Sequence, residues 1–170
     1  MPETKPKLVV VAGPTASGKT SVAIKLAQMF NGEIVSADSI QIYRYMDVGS
    51  AKPTNEEMAL VKHHMIDIRD PDQEFTAGDY VKEARECVEN IAHRGKLPLV
   101  VGGTGLYIRC LLGGIVDLPP AEPLLRARLQ NEEKLGGAGT LFARLRDVDP
   151  ETAQRIDGQN LLRVIRALEV

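Results

Sequence analysis

The sequence contains no tryptophan, few other aromatic residues and only two cysteines. Aromatic residues make up 4% of the 170 positions, whereas hydrophobic residues make up 44%, so the hydrophobic core must be mainly aliphatic. Cys87 and Cys110 lie far apart without CxxC spacing, which argues against a disulfide scaffold or a zinc site. No apolar run approaches membrane-spanning length, and residues 1–7 lack the apolar stretch of a signal peptide. We therefore expect a cytoplasmic protein with no membrane partner.

The chain also lacks an excess of positive charge. Its formal net charge is −2, and residues 121–170 contain equal numbers of basic and acidic side chains. Domains that bind nucleic acid mainly through charge are usually basic. The composition therefore argues against strong RNA binding by this stretch of chain alone.

Short apolar strands alternate with amphipathic helices over most of the chain. Strands are predicted at 8–12, 33–36, 65–68 and 97–101, and a helix is predicted at 19–30. Thr76 and Asp79 resemble a capping box that opens a second helix to about Arg94. We expect Asn31-Gly32 to end the first helix, with the glycine as a left-handed cap. The residues expected on the buried face of that helix are Val22, Ala23, Leu26, Ala27 and Phe30. This alternation predicts an α/β fold with a parallel sheet and helices on both faces.

The pattern changes after Leu118-Pro119-Pro120, where strand-like runs stop. Helices are predicted around 124–135 and 141–145, from Pro150 onwards, and over 161–170. We therefore predict a catalytic α/β core over residues 1–120 and a small helical insertion segment over residues 121–170.

The most specific motif follows the first predicted strand. It matches the P-loop pattern G-x-x-x-x-G-K-[ST] and lies between a buried strand and an amphipathic helix, as phosphate binding requires. We expect Lys19 to supply a point charge and Thr20 a hydroxyl for Mg²⁺. The residues predicted to bind a diphosphate or nucleotide are Gly13, Pro14, Thr15, Ala16, Ser17, Gly18, Lys19 and Thr20. The motif predicts a P-loop NTPase-like fold but does not identify the molecule that carries the phosphates.

Two further motifs follow predicted strands, at the sheet edge where open α/β sheets bind ligands. Asp38 can be a turn former, a general base or a Mg²⁺ ligand. Gly102-Gly103-Thr104-Gly105 stands where many P-loop ATPases place an aspartate, and can be a site or a strand-to-helix turn. We interpret His63-His64 as structural, since no cysteine or carboxylate follows at metal spacing, and residues 67–74 as a solvated acidic loop.

Taken together, these motifs resemble the tRNA dimethylallyltransferase family, also called IPP transferases. The resemblance rests on residues 12–20, 36–41, 46–53, 63–67 and 101–107, in that order, and extends from Leu8 to Val170. It implies transfer of a dimethylallyl group from dimethylallyl diphosphate to the N6 amine of the adenosine 3′-adjacent to the tRNA anticodon. Family members continue well past the position of Val170, so we expect this chain to be truncated. We expect it to keep some diphosphate affinity, to bind tRNA poorly and to turn over little.

The resemblance also implies roles for particular residues. Asp38 matches the general base and Thr104 lies near the reacting centre. The residues implied to contact tRNA are Asp38, Ser39, Ile40, Gln41, Thr104, Arg126, Arg163 and Arg166. The family usually has Asn-Asp where this chain has Gln159-Asn160, so a role for that carboxylate is not carried over. Mg²⁺ is the expected cofactor, dimethylallyl diphosphate and the tRNA anticodon loop are the expected partners, and a monomer is expected.

Three alternatives remain open at this point. An adenylate dimethylallyltransferase would share these motifs and act on free nucleotide. A small-molecule or nucleotide kinase would use the same P-loop for ATP, with Asp38 as base for a hydroxyl. A regulatory P-loop module would bind nucleotide without turnover.

Overall fold

The computed structural model describes residues 6–115, 119 and 121–170, which belong to two compact units, Met1–Ile115 and Val116–Val170. The described part of the first unit runs in the order β1 (Val9–Ala12), α1 (Lys19–Met29), β2 (Gly32–Ser36), α2 (Asn55–Leu60), β3 (His63–His64), α3 (Ala77–His93), β4 (Leu97–Gly102) and α4 (Gly105–Gly113). Its strands form one parallel sheet in the order β1-β4-β2-β3. The predicted parallel α/β sheet is therefore confirmed. Of the predicted boundary at Leu118-Pro119-Pro120, only Pro119 is among the described residues.

The sheet is buried on both faces because its strands are apolar at successive positions. Ile34 and Val101 pack against α1, whereas Val35 and Val100 pack against α3 and α4. Successive side chains of a strand point to opposite faces, so an apolar strand needs a helix on each side. Because β1, β2 and β4 are parallel, their carboxyl ends lie together at one edge of the sheet.

The buried face of α1 agrees only in part with the predicted face. Ala23 and Ala27 are buried and Leu26 is partly buried, as predicted, whereas Val22 and Phe30 are exposed and Ile24 is buried instead. Two apolar stripes with helical spacing run along this helix, and sequence alone does not rank them. The stripe that faces the sheet carries the two alanines, whose small side chains let the helix lie close to the strands.

The turn between α1 and β2 also differs from the prediction. Asn31, and not Gly32, takes the left-handed conformation, with φ of 50°. Gly32 begins β2, where an added Cβ would lie 2.3 Å from Cδ1 of Leu99 and 2.7 Å from the carbonyl oxygen of Leu97. Glycine is therefore required here for close packing of β2 on β4.

The predicted strand at 65–68 is wrong. The third strand is β3, His63–His64, and the chain leaves the sheet directly after it because Met65 and Asp67 have positive φ values of 62° and 54°. The short helix α2 was not predicted from the sequence. The sequence does contain a signal for the start of α2, because Thr54 and Glu57 form a capping box. A capping box of the same kind correctly predicted the start of α3.

A buried carboxylate joins β2 to its neighbours. Glu33 is 2% exposed, and its oxygens accept hydrogen bonds from Arg94 at 2.7 and 2.8 Å, from Lys96 at 2.8 Å and from His64 at 2.7 Å. Burial of the carboxylate favours its neutral form, but the hydrogen bonds from Arg94, Lys96 and His64 outweigh burial and hold the pKa of Glu33 well below its usual range.

We predict that Glu33→Gln destabilises the protein at neutral pH by on the order of 1–3 kcal/mol, because charged hydrogen bonds to a buried acceptor are lost. The folded-state pKa is depressed, so this stabilisation is complete above the unfolded-state pKa of about 4.3 and declines as pH falls from there towards the folded-state pKa. Melting temperatures of the variant and the wild type should begin to converge below about pH 4. Glu89→Gln, at an exposed position of α3, is the control. A constant gap down to about pH 3 would contradict this account.

The second unit consists, in its described part, of the helices α5 (Pro123–Gly136), α6 (Thr140–Val148), α7 (Pro150–Arg155) and α8 (Leu161–Glu169). These confirm the four predicted helical segments. Side-chain caps set several of the helix starts: Glu133 accepts from the backbone N–H of Leu141 at 2.8 Å, and Asp149 accepts from that of Thr152 at 2.9 Å. The helices pack around an aliphatic cluster that comprises Leu129, Leu141, Leu145, Ala153, Val164 and Ile165. Neither unit has, in the parts described, a helix that is long and apolar enough to cross a membrane.

Candidate active site

A cavity of about 370 Å³ lies beside the P-loop at the carboxyl edge of the sheet. The P-loop residues on its wall are Thr15, Ala16, Ser17, Gly18, Lys19 and Thr20. Ala16 and Gly18 have positive φ values of 63° and 80°, and Gly18 is also the N-cap of α1. This turn directs the chain from β1 into α1, so the free N–H groups of the first helical turn lie at the cavity.

Lys19 begins α1 and turns back over the loop. Its ammonium donates a hydrogen bond to the carbonyl oxygen of Pro14. The contact keeps the cation at the P-loop, and a neutral carbonyl is a weaker partner for it than a charged phosphate oxygen would be.

Asp38 lies on the wall of the same cavity, after the end of β2. Its Oδ1 accepts hydrogen bonds from the backbone N–H groups of Ile40 at 2.9 Å and Gln41 at 3.3 Å. Among the described residues no donor reaches its other oxygen, Oδ2. One oxygen of Asp38 therefore forms the turn, whereas the roles of general base and Mg²⁺ ligand, which would use the other oxygen, stay predictions.

Thr104 supports this turn from β4. Its hydroxyl oxygen accepts a hydrogen bond from the backbone N–H of Ser39 at 2.9 Å, and its own N–H donates to the carbonyl of Ala37 at 3.0 Å. Gly102, two residues before Thr104, permits the approach, because a Cβ at this position would lie 2.1 Å from the carbonyl oxygen of Ala37. The Gly102–Gly105 motif is thus both a strand-to-helix turn and the support of the Asp38 turn.

Gln41 connects the Asp38 turn to the loop that precedes α2. Its side chain accepts from the hydroxyl of Ser36 at 3.0 Å and donates to the carbonyls of Ser50 at 3.2 Å and Ala51 at 3.0 Å. These contacts hold the loop over the cavity wall. The implied contact of Gln41 with tRNA stays a prediction, and the structure adds this internal role.

Several residues on the cavity wall were not predicted as site residues. Lys52 is one of them, with its side chain only 6% exposed, and its ammonium donates to Asp67 at 2.7 Å, Asp47 at 2.5 Å and the carbonyl of Tyr43 at 3.1 Å. Burial disfavours the ammonium, but its hydrogen bonds to Asp47 and Asp67 raise the pKa of Lys52 above its usual value. The interpretation of 67–74 as a solvated loop therefore misses the ion pair made by Asp67.

His63 also lies on the cavity wall, whereas His64 belongs to the Glu33 cluster. Nδ1 of His63 lies 2.8 Å from the carbonyl oxygen of Val61, to which it can donate. Burial lowers the pKa of His63, which favours the neutral ring. Both histidines therefore have structural partners, as predicted. The position of His63 beside the cavity could have been inferred from the motif at 63–67, which the sequence resemblance includes without a role.

The predicted RNA-binding arginines lie in the helical unit and differ in their surroundings. Arg126 forms a paired contact with Glu169 at 2.7 and 3.0 Å, and Arg166 contacts the same carboxylate at 3.2 Å and the carbonyl of Pro119 at 2.8 Å. The Glu169 side chain is 1% exposed, and its hydrogen bonds to Arg126 lower its pKa to about 2. Arg163 is exposed. Asn160 caps α8 by accepting from the N–H of Arg163 at 3.2 Å, a role for which an amide replaces a carboxylate without loss.

We therefore expect Arg126→Ala to destabilise the protein more than Arg163→Ala does. The first removes a partner of the buried Glu169 carboxylate and should cost on the order of 1–3 kcal/mol. The second removes an exposed side chain and should change stability by less than about 0.5 kcal/mol. Thermal or urea unfolding measures both values. If Arg163→Ala destabilises as much as Arg126→Ala, the distinction between the two arginines is wrong.

Comparisons with known proteins agree with this arrangement. The family model described as IPP transferase matches residues 41–170. The chain belongs to the IPP transferase family. It is 51% identical over 168 residues to tRNA dimethylallyltransferase 1 of Syntrophotalea carbinolica, covering 99% of this chain and 54% of that protein. It is 52% identical over 166 residues to tRNA dimethylallyltransferase of Myxococcus xanthus, covering 98% and 54%. The chain thus spans about half the length of the curated relatives it matches.

Solved structures give the same relationship. The full-length tRNA isopentenylpyrophosphate transferase of Bacillus halodurans is 43% identical, with a TM-score of 0.66, over 97% of this chain and 55% of that one. A eukaryotic dimethylallyltransferase, in a study of its action on tRNA, is 30% identical with a TM-score of 0.81, over 95% of this chain and 40% of that one. The P-loop NTPase-like α/β fold predicted from the sequence is that of these neighbours.

Proposed function

We propose that this chain is the donor-binding and catalytic part of an enzyme that transfers a dimethylallyl group to tRNA. The donor is dimethylallyl diphosphate, and the acceptor is the N6 amine of the adenosine 3′-adjacent to the anticodon. The observation that carries the proposal is that the P-loop and Asp38 line one cavity of about 370 Å³, so a diphosphate and a base share the same space. The names of the relatives support prenyl transfer over phosphoryl transfer.

The P-loop binds the diphosphate of the donor in this proposal. The N–H groups at the start of α1 and the ammonium of Lys19 face negative oxygens, and Lys19 exchanges the carbonyl of Pro14 for a charged acceptor. The same groups stabilise the charge that grows on the diphosphate as it departs. Binding and leaving-group stabilisation therefore come from one set of residues.

Thr20 is the residue of this site that would bind Mg²⁺. In such sites the ion takes few protein ligands and several phosphate oxygens, and Thr20 supplies a hydroxyl on the cavity wall. The described residues contain no group of three or more His, Cys, Asp or Glu that would hold a metal by itself. A bound ion would supply further neutralisation of the diphosphate charge.

Asp38 is the proposed general base. As the bond between N6 and C1 of the dimethylallyl group forms, the bond between C1 and the diphosphate oxygen breaks, and the diphosphate leaves with the electron pair. The proton of the amine passes to Oδ2 of Asp38, the oxygen that the turn does not use. The adenine must leave its stack to reach this oxygen, which costs less in an unpaired anticodon loop than in a duplex. Such an enzyme acts on tRNA in the cytoplasm.

The proposal is tested in two steps with the purified chain. Dimethylallyl diphosphate with Mg²⁺ should raise the melting temperature, and ATP should raise it less. Labelled dimethylallyl diphosphate should then label unmodified tRNA, supplied in large excess because this chain is expected to bind tRNA weakly, and leave AMP unlabelled. Stabilisation by ATP alone would favour a kinase, and labelling of AMP alone would move the acceptor to free nucleotide.

A further inference from the structure

The cavity beside the P-loop has an apolar patch as well as its polar groups. We use this term for the larger apolar residues on the cavity wall, which are Ile34, Pro53, Ile66 and Val101. Ile34 and Val101 come from the adjacent strands β2 and β4 and belong to the cluster that packs against α1. Aliphatic side chains offer no hydrogen bond to a diphosphate, so this patch suits another part of the ligand.

The backbone around Ile66 holds this residue at the cavity wall. Both neighbours, Met65 and Asp67, have left-handed φ values although neither is glycine. Such conformations cost on the order of 1 kcal/mol each and persist only where surrounding contacts impose them. Those contacts are present: Asp67 pairs with Lys52, and its N–H donates to the carbonyl of Gln41 at 3.1 Å.

We infer that Ile66 is a specificity-determining residue that limits the length of the prenyl chain of the donor. The inference rests on the proposed function, because it assumes that the P-loop binds the diphosphate end. With that end fixed, the hydrocarbon end leaves water by packing on the apolar patch, where each buried methylene contributes about 0.8 kcal/mol. The side chains that line the patch then limit the length of the hydrocarbon chain that can bind there.

Ile66 differs from the other members of the patch. Ile34 and Val101 are 2% and 8% exposed and also hold α1 to the sheet, and Pro53 is buried in the loop before α2. Ile66 remains partly exposed and lies in an irregular segment after β3. Its side chain can therefore change size without loss of the core.

The test compares the affinities of three diphosphates by titration calorimetry with Mg²⁺: inorganic, dimethylallyl and geranyl diphosphate. The proteins are the wild type, Ile66→Ala, Ile66→Phe and the control Ile68→Ala. Ile68 is also partly buried but packs against the cluster that contains Tyr80, and it is absent from the cavity wall. Binding is measured without RNA, so the result does not depend on turnover.

In the wild type, dimethylallyl diphosphate should bind at least about tenfold tighter than inorganic diphosphate and also tighter than geranyl diphosphate. Ile66→Ala should raise the affinity of geranyl relative to dimethylallyl diphosphate by at least about tenfold, since three carbons leave the wall. Ile66→Phe should weaken dimethylallyl diphosphate by about tenfold and leave inorganic diphosphate unchanged. Ile68→Ala should keep the wild-type ratios.

Three outcomes would overturn the inference. If neither substitution at Ile66 changes the ratio of geranyl to dimethylallyl affinity, or if Ile68→Ala changes it equally, Ile66 does not set chain length, and the proposed function stands. If no diphosphate binds the wild type, the proposed function fails and the inference fails with it. A general folding defect lowers all three affinities together, whereas the two Ile66 variants are expected to act selectively and in different ways.

Discussion

Asp38→Asn should slow dimethylallyl transfer by about 10²–10⁴-fold and leave the affinity for the donor nearly unchanged. The adenine amine is a weak nucleophile that must lose a proton as it attacks. A carboxylate can accept that proton, whereas an amide oxygen is far too weak a base. The expected loss is therefore in kcat and not in KM for the donor.

The geometry of the turn lets Asp38→Asn remove the basicity of the side chain and keep its hydrogen bonds. Oδ1 of Asp38 only accepts hydrogen bonds, from the N–H groups of Ile40 and Gln41, and the amide oxygen of asparagine can accept the same two. Asp38→Ala would lose both bonds and disturb the turn, so it should lower stability as well as rate. A difference in melting temperature between the Asn and Ala variants would show that the structural and chemical roles have been separated.

Transfer is followed by the incorporation of labelled dimethylallyl groups into unmodified tRNA under single-turnover conditions. Asp72→Asn is the control, since it makes the same chemical change at an exposed position outside the cavity wall. An Asp38→Asn protein that transfers at the wild-type rate would require another base in the cavity. Glu57 would then be the next residue to test, because it is the other carboxylate among the described residues of the wall.

Much of the fold could be predicted from sequence because the signals were local. The P-loop lies between an apolar strand and a helix, and the capping box at Thr76 and Asp79 marks the start of α3. The errors arose where tertiary packing decides. The rotation of α1 depends on which of two apolar stripes meets the sheet, and the end of β3 depends on left-handed residues, Met65 and Asp67, that are neither glycine nor asparagine.

The same division applies to the candidate site. Asp38 and the P-loop residues were accessible to prediction because each follows a strand, and the carboxyl ends of parallel strands share one edge. Lys52 and Ile66 lie in irregular loops with no regular spacing, so periodicity does not place them on the cavity wall, although the motifs at 46–53 and 63–67 contain them. Long-range contacts such as that between Lys52 and Asp67 hold them there. Sequence reasoning can place residues on elements more readily than it can place loops over a cavity.

Lys19→Ala should weaken donor binding and slow transfer by about 10²–10³-fold, the usual cost of removing one preorganised group that stabilises developing charge. The ammonium faces the diphosphate both in the bound donor and as the leaving group departs. Its loss should therefore change KM and kcat together, in contrast to Asp38→Asn.

Little else in the protein should respond to this change. Among the described residues, the ammonium of Lys19 donates a hydrogen bond only to the carbonyl oxygen of Pro14. Alanine is the best helix former, so α1 should remain intact at its first residue. The melting temperature of the ligand-free variant should accordingly match that of the wild type, and only its stabilisation by dimethylallyl diphosphate should be lost.

Lys25→Ala is the matched control for the charge. Lys25 lies on the same helix, is exposed, and is absent from the cavity wall, so both substitutions change the net charge equally. Donor affinity by calorimetry and transfer of labelled dimethylallyl groups are measured for both variants. If the two variants bind and react alike, the effect of Lys19 is a long-range charge effect and not contact with the diphosphate. If Lys19→Ala retains wild-type affinity and rate, the P-loop is not the site at which this chain binds its donor.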